Sequence, residues 1–251
     1  MLAEERYESI LEVLAQRRTV TVQELSVQLG ASEATVRRDI TFLSESGRLR
    51  KVRGGAALTA PLTAVTRDDL VSDRSGRNYA AKLTIARAAA ALIKPDDFVY
   101  IDAGSTTALL AEQIAPNGAS FVTDAMSHAL TLARKGCPVF LLGGEVKPST
   151  EALVGAWALK NLARYNFTLG FFGTNGITIK NGYSTPDPAE ALVKAQAMKQ
   201  CKEAWVLADP SKFDVICPVT FGRFRDARII TTRLAAAEYM KEENIMEADK
   251  Q

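Results

Sequence analysis

Thr21-Val22-Gln23-Glu24-Leu25-Ser26-Val27-Gln28-Leu29-Gly30-Ala31-Ser32-Glu33-Ala34-Thr35-Val36-Arg37-Arg38-Asp39-Ile40 decides the fold of the first part of the chain. Thr21 and Glu24 have the spacing of a capping box, in which the threonine hydroxyl accepts from the third amide and the glutamate reaches back. The helix they open carries Val22, Leu25 and Leu29 on one face, and Gly30 suits the left-handed residue that closes it. Ser32 caps a second helix, from Glu33 to about Glu45, with Val36, Ile40 and Leu43 turned inward, and Gly47 is expected to end it. Ile10, Leu11 and Leu14 predict a preceding helix from about Glu5 to Gln16. Two short helices joined by Gly30-Ala31-Ser32 make a helix-turn-helix. Ser32 and the outward residues Glu33, Thr35, Arg37, Arg38 and Thr41 then sit where a recognition helix meets base edges and phosphates. Beyond them Leu49 and Val52 stand among Arg50, Lys51 and Arg53, and Gly54-Gly55 supply a tight turn, the pattern of a β-wing.

The charge pattern points the same way. The 251 residues hold 31 Lys+Arg against 29 Asp+Glu, so no global field draws the molecule to polyanions. Residues 1–33 carry three basic against six acidic side chains, whereas residues 34–58 carry six basic against two acidic. That cationic cluster is a candidate polyanion footprint, the plainer alternative being a solvated surface. Two readings also stand at single positions: Thr35 contacts DNA or aids the cap, and Arg37 contacts DNA or pairs with Glu33 one helical turn away.

With 47% hydrophobic and 24% charged residues the composition is that of a globular protein, not a disordered one. Cys137, Cys201 and Cys217 form no C-x-x-C pair and read as buried apolar residues in a reducing cytoplasm, with neither a disulfide framework nor a metal site expected. No signal peptide is visible, and apolar runs such as Ala88 to Ile93 fall far short of the roughly 18 residues of a spanning helix, so no membrane partner is expected. The pattern divides the chain into a winged helix-turn-helix over 1–58, a linker over 59–78 with no sustained periodicity, and a larger domain over 79–251.

In the larger domain, apolar runs of strand length alternate with helical patterns. Strands are expected at 98–101, 120–123, 138–142, 167–172, 204–208 and, last, 227–230, with helices over 80–93, to about 114 and near 125–134. Such alternation predicts an α/β, Rossmann-like parallel sheet covered on both faces. In such sheets a ligand sits outside the carboxyl ends of the strands, where small and polar residues collect. Gly104 permits close backbone approach, and Ser105, Thr106 and Thr107 open a helix whose amides and dipole suit a phosphate, the alternative being plain capping. Gly143-Gly144 and Gly173-Thr174-Asn175-Gly176 offer bare backbone or simple turns. Lys212 is a ligand contact or a surface lysine, and Lys194 after Glu190 is a second candidate cation. No G-x-G-x-x-G or P-loop string is present, which argues against a dinucleotide or ATP, and no cofactor is expected. His128, the sole histidine, is expected to be structural and distant from the glycine loops.

The run Leu25 to Ile40 with Arg53-Gly54-Gly55-Ala56 resembles the N-terminal signature of the DeoR family of bacterial transcription regulators. The strings Asp102-x-Gly104-Ser-Thr-Thr107, Leu141-Leu-Gly-Gly144, Phe172-Gly-Thr-Asn-Gly-Ile177, Glu190-Ala-x-x-Lys194 and Asp209-x-Ser-Lys-Phe213 resemble that family's sensor domain, which is similar to the phosphosugar isomerase fold of ribose 5-phosphate isomerase. The resemblance implies DNA contacts by Thr35, Arg37 and Arg38. It also implies a phosphorylated sugar as effector, held around Asp102, Gly104, Ser105, Thr106, Thr107, Gly143, Gly144, Gly173 to Gly176, Glu190, Lys194 and Lys212. Many members carry Thr-Asn where this chain has Thr123-Asp124, which sets an extra acid, Asp124, near the ligand. Thr174 to Ile177 with Ser184-Thr185-Pro186-Asp187 is most similar to the fructose regulators, which implies fructose 1-phosphate. The expected protein is a repressor that binds operator double-stranded DNA as a homo-oligomer and is released by the sugar phosphate. The alternative is a sugar-phosphate isomerase carrying a DNA-binding module, with Asp102, Asp124, Glu190 and Lys212 as its acid–base groups.

Overall fold

In the computed structural model, which describes residues 2–17, 19–46, 48–58, 63–66, 71–234 and 239–250, the chain divides into two units, Met1–Pro61 and Leu62–Gln251. The first unit runs α1 (Ala3–Arg17), β1 (Thr19–Thr21), α2 (Val22–Leu29), α3 (Glu33–Glu45), β2 (Leu49–Val52) and β3 (Gly55–Leu58). Both halves of the capping box form: the Glu24 amide donates to the Thr21 hydroxyl at 3.1 Å, and the Thr21 amide donates to the Glu24 carboxylate at 2.8 Å. Gly30 closes α2 at φ +60°. Ile10, Leu14, Leu25, Val36, Ile40 and Leu43 fill the core between the three helices. The Arg6 guanidinium on α1 grips the Asp39 carboxylate on α3 through two bonds, at 2.8 and 3.1 Å. The wing hairpin β2–β3 gains a third strand that periodicity did not foretell, β1, in the order β1-β3-β2. A Cβ at Gly55 would lie 2.1 Å from the Val20 carbonyl oxygen, so glycine is what lets β3 close on β1. Gly47, expected to end α3, lies outside the described residues.

The second unit opens with β4 (Thr63–Ala64), α4 (Val71–Ser75), α5 (Tyr79–Ala90), β5 (Phe98–Ile101), α6 (Ser105–Gln113), β6 (Ser120–Thr123), α7 (Met126–Arg134) and β7 (Val139–Leu141). It continues with β8 (Glu145–Lys147), β9 (Ala152–Val154), α8 (Ala156–Leu162), β10 (Phe167–Gly173), β11 (Gly176–Thr178), β12 (Gly182–Thr185) and α9 (Pro188–Lys199). It ends with β13 (Cys201–Leu207), β14 (Val215–Ile216), β15 (Val219–Gly222), β16 (Arg228–Thr231) and β17 (Ile245–Glu247). Seven strands form the parallel sheet in the order β17-β16-β13-β10-β5-β6-β7. Alternate residues serve opposite faces. Val99 and Ile101 of β5 pack with Ile85, Leu109, Leu110 and Leu132 of α5, α6 and α7. Tyr100 between them packs on the other face with Ala158 and Leu162 of α8 and Ala197 of α9.

Two expectations change. The sheet does not end at the strand near 227–230, because β17 adds in parallel to β16. Part of the stretch read as linker is built into this unit: β4 pairs in parallel with β14, and residues 71–75 are helical. The order of the strands positions the site. From β5 the chain proceeds outward through β6 and β7, then returns to β10 on the other side of β5 and continues through β13, β16 and β17. The reversal leaves a crevice between the carboxyl ends of β5 and β10.

Candidate functional site

The first unit presents its cations around α3. Ser32 caps that helix, its hydroxyl accepting from the Thr35 amide at 3.2 Å and meeting the Thr35 hydroxyl at 2.9 Å. Glu33 and Arg37 form an exposed ion pair at 3.0 Å along the same face, and Arg38 is exposed beside them. The plainer alternatives weighed for Thr35 and Arg37 are thus both present as contacts. Thr41 donates to the Arg37 carbonyl at 2.8 Å and accepts from the Lys51 ammonium at 2.9 Å, which ties the wing to α3. Lys51 and Arg53 are exposed on the hairpin and Arg50 is half-buried. Between α3 and the hairpin lies a groove of about 420 Å³, lined in part by Arg37, Arg38, Thr41, Phe42 and Lys51.

In the second unit the crevice is assembled from both sides of the strand reversal. Asp102, the residue after β5, is fully buried; its carboxylate accepts from the Gly173 amide at 2.8 Å and pairs with the Lys194 ammonium from α9. Lys194 also reaches the Gly173 carbonyl at 3.4 Å. Burial opposes the charge of Lys194, but Asp102, Glu190 and Asp124 outweigh it and hold its pKa above the ordinary lysine value. Burial drives the Asp102 carboxyl upward, and Lys194 offsets only part of that. Burial, with the Asp102 charge added, holds Asp124 well above the carboxylate range; it accepts from the Ala103 amide at 2.8 Å.

The anion-attracting features sit above this buried layer. Gly104 precedes α6 without a side-chain cap, so the amides of the first turn face the cleft together with the hydroxyls of Ser105 and Thr106. Gly173, Thr174, Asn175, Glu190, Lys194 and Lys212 complete much of the wall. Glu190 is itself engaged, accepting from Lys147 at 2.9 Å and from Thr150 at 2.5 Å. At the far end of α6 the Lys135 ammonium donates to the carbonyls of Ala111, Glu112 and Ile114.

Not every expected residue reaches the cleft wall. Asp102, Thr107 and Asp124 lie directly behind it, Thr107 donating to the Gly104 carbonyl at 3.0 Å. Gly143 and Gly144 are placed elsewhere: the Gly143 amide bonds Asn161, and a Cβ on Gly144 would stand 2.5 Å from the Val154 carbonyl oxygen. Gly176 serves packing too, with its Cβ position 2.4 Å from the Val215 carbonyl oxygen. Arg74 and Lys82 line the cleft and were not anticipated. His128 is a correction: α7 packs beside α6 and brings the imidazole to the Gly104 backbone rather than away from the glycine loops. Burial, against that bond and with the Lys194 charge, lowers its pKa to about 4.

Residues 77–233 match the model of the DeoR C terminal sensor domain, and residues 6–61 match that of the DeoR-like helix-turn-helix domain. The chain belongs to the DeoR family. Among relatives of this DeoR chain, the uncharacterized HTH-type transcriptional regulator FruR of Bacillus subtilis is 41% identical over 92% of both chains. The HTH-type transcriptional regulator GlpR of Haloferax volcanii is 32% identical over 92% of this chain and 90% of its own. The putative aga operon transcriptional repressor of Escherichia coli O157:H7 is 31% identical, covering 84% of this chain and 78% of its own. These relatives are named as regulators, not as enzymes. Ribose 5-phosphate isomerase A of Methanocaldococcus jannaschii overlays 54% of this chain and 55% of its own at 17% identity and a TM-score of 0.39, a likeness too slight to bear on chemistry.

Proposed function

We propose that this DeoR-family chain is a cytoplasmic transcription repressor of a sugar-catabolism operon, released from its operator by a phosphorylated sugar, with fructose 1-phosphate the first candidate. Ser32, Glu33, Thr35, Arg37, Arg38 and Thr41 would meet the major groove, and Arg50, Lys51 and Arg53 the flanking backbone. One recognition helix covers a short half-site, so the reading includes a homo-oligomer. The observation that carries it is the uncapped first turn of α6, opening beside Ser105, Lys82 and Lys212 at the strand reversal of the sheet. Helix amides and cations suit a phosphate, and hydroxyls suit a sugar. The names of the relatives, among them lactose phosphotransferase system repressors, support a sugar operon as target.

Calorimetry of the full chain with fructose 1-phosphate and other sugar phosphates, paired with DNA-binding titrations, tests the reading. Binding of one sugar phosphate with a parallel loss of operator affinity is the expected result. Arg37→Ala should weaken operator binding by roughly 1–3 kcal/mol and leave the calorimetric titration unchanged. Absence of heat with every sugar phosphate, or turnover of a phosphorylated ketose, would overturn it.

A further inference from the structure

The segment that leads out of the reading unit forms part of the sensor cleft. Val65, Arg74, Arg77 and Asn78 line its outer part, of about 270 Å³, next to Lys82 and Lys212. Among the described residues, the following ties hold that segment. The Val65 amide donates to the Ile216 carbonyl at 3.0 Å where β4 lies along β14. The Asn78 amide donates to Asp209 at 2.8 Å and to Ser211 at 3.2 Å. The Lys82 ammonium donates to the Arg74 carbonyl at 2.5 Å. Lys82 makes a second bond, to the Ser105 hydroxyl at 3.0 Å, on the first residue of α6. One lysine, only 3% exposed as a residue, thus touches the connecting segment and the anion-attracting rim at once.

We infer that Lys82 is the positioning residue that relays effector occupancy to the connecting segment: it turns to an arriving phosphate, gives up the Arg74 carbonyl, and loosens residues 63–66 and 71–78. This rests on the proposed binding of a sugar phosphate in the cleft. The ammonium's bond to the neutral Arg74 carbonyl lacks the attraction between full opposite charges that a phosphate adds, so the exchange runs toward the ligand. Burial lowers the Lys82 pKa, Asp209 offsets some of this, and Lys212, Arg74 and Arg77 lower it further; an anion relieves that state. The element released is α4, a helix of five residues, and short helices have little stability of their own.

The test uses the full chain and a DNA duplex selected from a random pool, titrated with and without saturating fructose 1-phosphate, with inorganic phosphate alongside. In the unaltered protein the sugar phosphate should weaken duplex binding by about 5- to 150-fold, the usual range of coupling between sites. In Lys82→Met the duplex should bind weakly without ligand, and the ratio should fall to about twofold or less. A lysine with only a structural role would change the melting temperature and leave the ratio intact. Hydrogen exchange on the unaltered protein is the second measurement, independent of whether the variant folds. Residues 63–66 and 71–78 should exchange faster when fructose 1-phosphate is added, while the first turn of α6 exchanges more slowly. A variant that keeps the full ratio, or a protein that releases DNA with no faster exchange in the segment, overturns the relay. A protein whose grip on DNA ignores every sugar phosphate instead overturns the reading of the sensor itself, and this is seen before any variant is made.

Discussion

His128→Gln isolates one source of acid sensitivity in the second unit. The imidazole is 3% exposed, and its pKa falls from 6.5 to about 4 because burial disfavours the cation. A depressed folded pKa contributes stability that is complete above pH 6.5 and is lost as the pH falls through 4. The gap of about 2.5 pH units, at about 1.36 kcal/mol each, amounts to about 3 kcal/mol, most of it lost between about pH 7.5 and about pH 4.5. Glutamine keeps a donor toward the Gly104 backbone and takes up no proton in this range. Urea unfolding followed by Trp157 and Trp205, the two tryptophans of the chain and both in the second unit, measures the loss. The variant should lose about 2–3 kcal/mol less than the parent over that interval. Since His128 is the sole histidine, its imidazole proton resonance reports the titration directly. A midpoint near 6.5, or equal losses in parent and variant, would refute the reasoning.

Other substitutions probe the same unit. Asp124→Asn keeps the acceptor for the Ala103 amide and removes a carboxyl whose pKa is raised by burial and by Asp102. A raised acid costs stability above its unfolded pKa, so the urea midpoint should rise at neutral pH and the gain should vanish below about pH 3.9. Gly144→Ala forces a Cβ to 2.5 Å from the Val154 carbonyl oxygen at φ +149° and should cost roughly 1–3 kcal/mol in the same unfolding assay. Tyr183→Phe removes the hydroxyl that donates to the Phe224 carbonyl at 2.7 Å and the Ala227 carbonyl at 3.0 Å; the Asn244 amide still donates to both, so the loss should be that of an ordinary hydrogen bond, about 0.5–1.5 kcal/mol, read by calorimetric melting.

The parts of the molecule legible in sequence are those set by short-range chemistry. Thr21, Glu24, Gly30 and Ser32 mark the ends of α2 and α3 because a cap involves only residues three or four apart. β5 and β6 were legible as Phe98–Ile101 and Ser120–Thr123 because a strand buried on both faces is a plain apolar run. β11 and β12, by contrast, contain Gly176, Thr178, Gly182, Ser184 and Thr185, and three- or four-residue strands of that make-up read as turns. β17 escaped for the same reason, being only three residues long. At the site, Ser105, Thr106 and Gly173 were legible because they directly follow strands whose ends the alternation predicted. Lys82 and Arg74 were not, since they reach the cleft from helices outside those strand ends. His128 was misplaced because periodicity tells which side of α7 is buried but not that α6 is the neighbour it is buried against.

The lysine at the tail of α6 has a bearing on what the front of that helix can receive. Lys135 clamps three carbonyls at that end, so the negative pole of the helix is already answered by a cation. With that pole satisfied from within the protein, the uncapped first turn at Ser105 is the end of α6 left to an incoming anion.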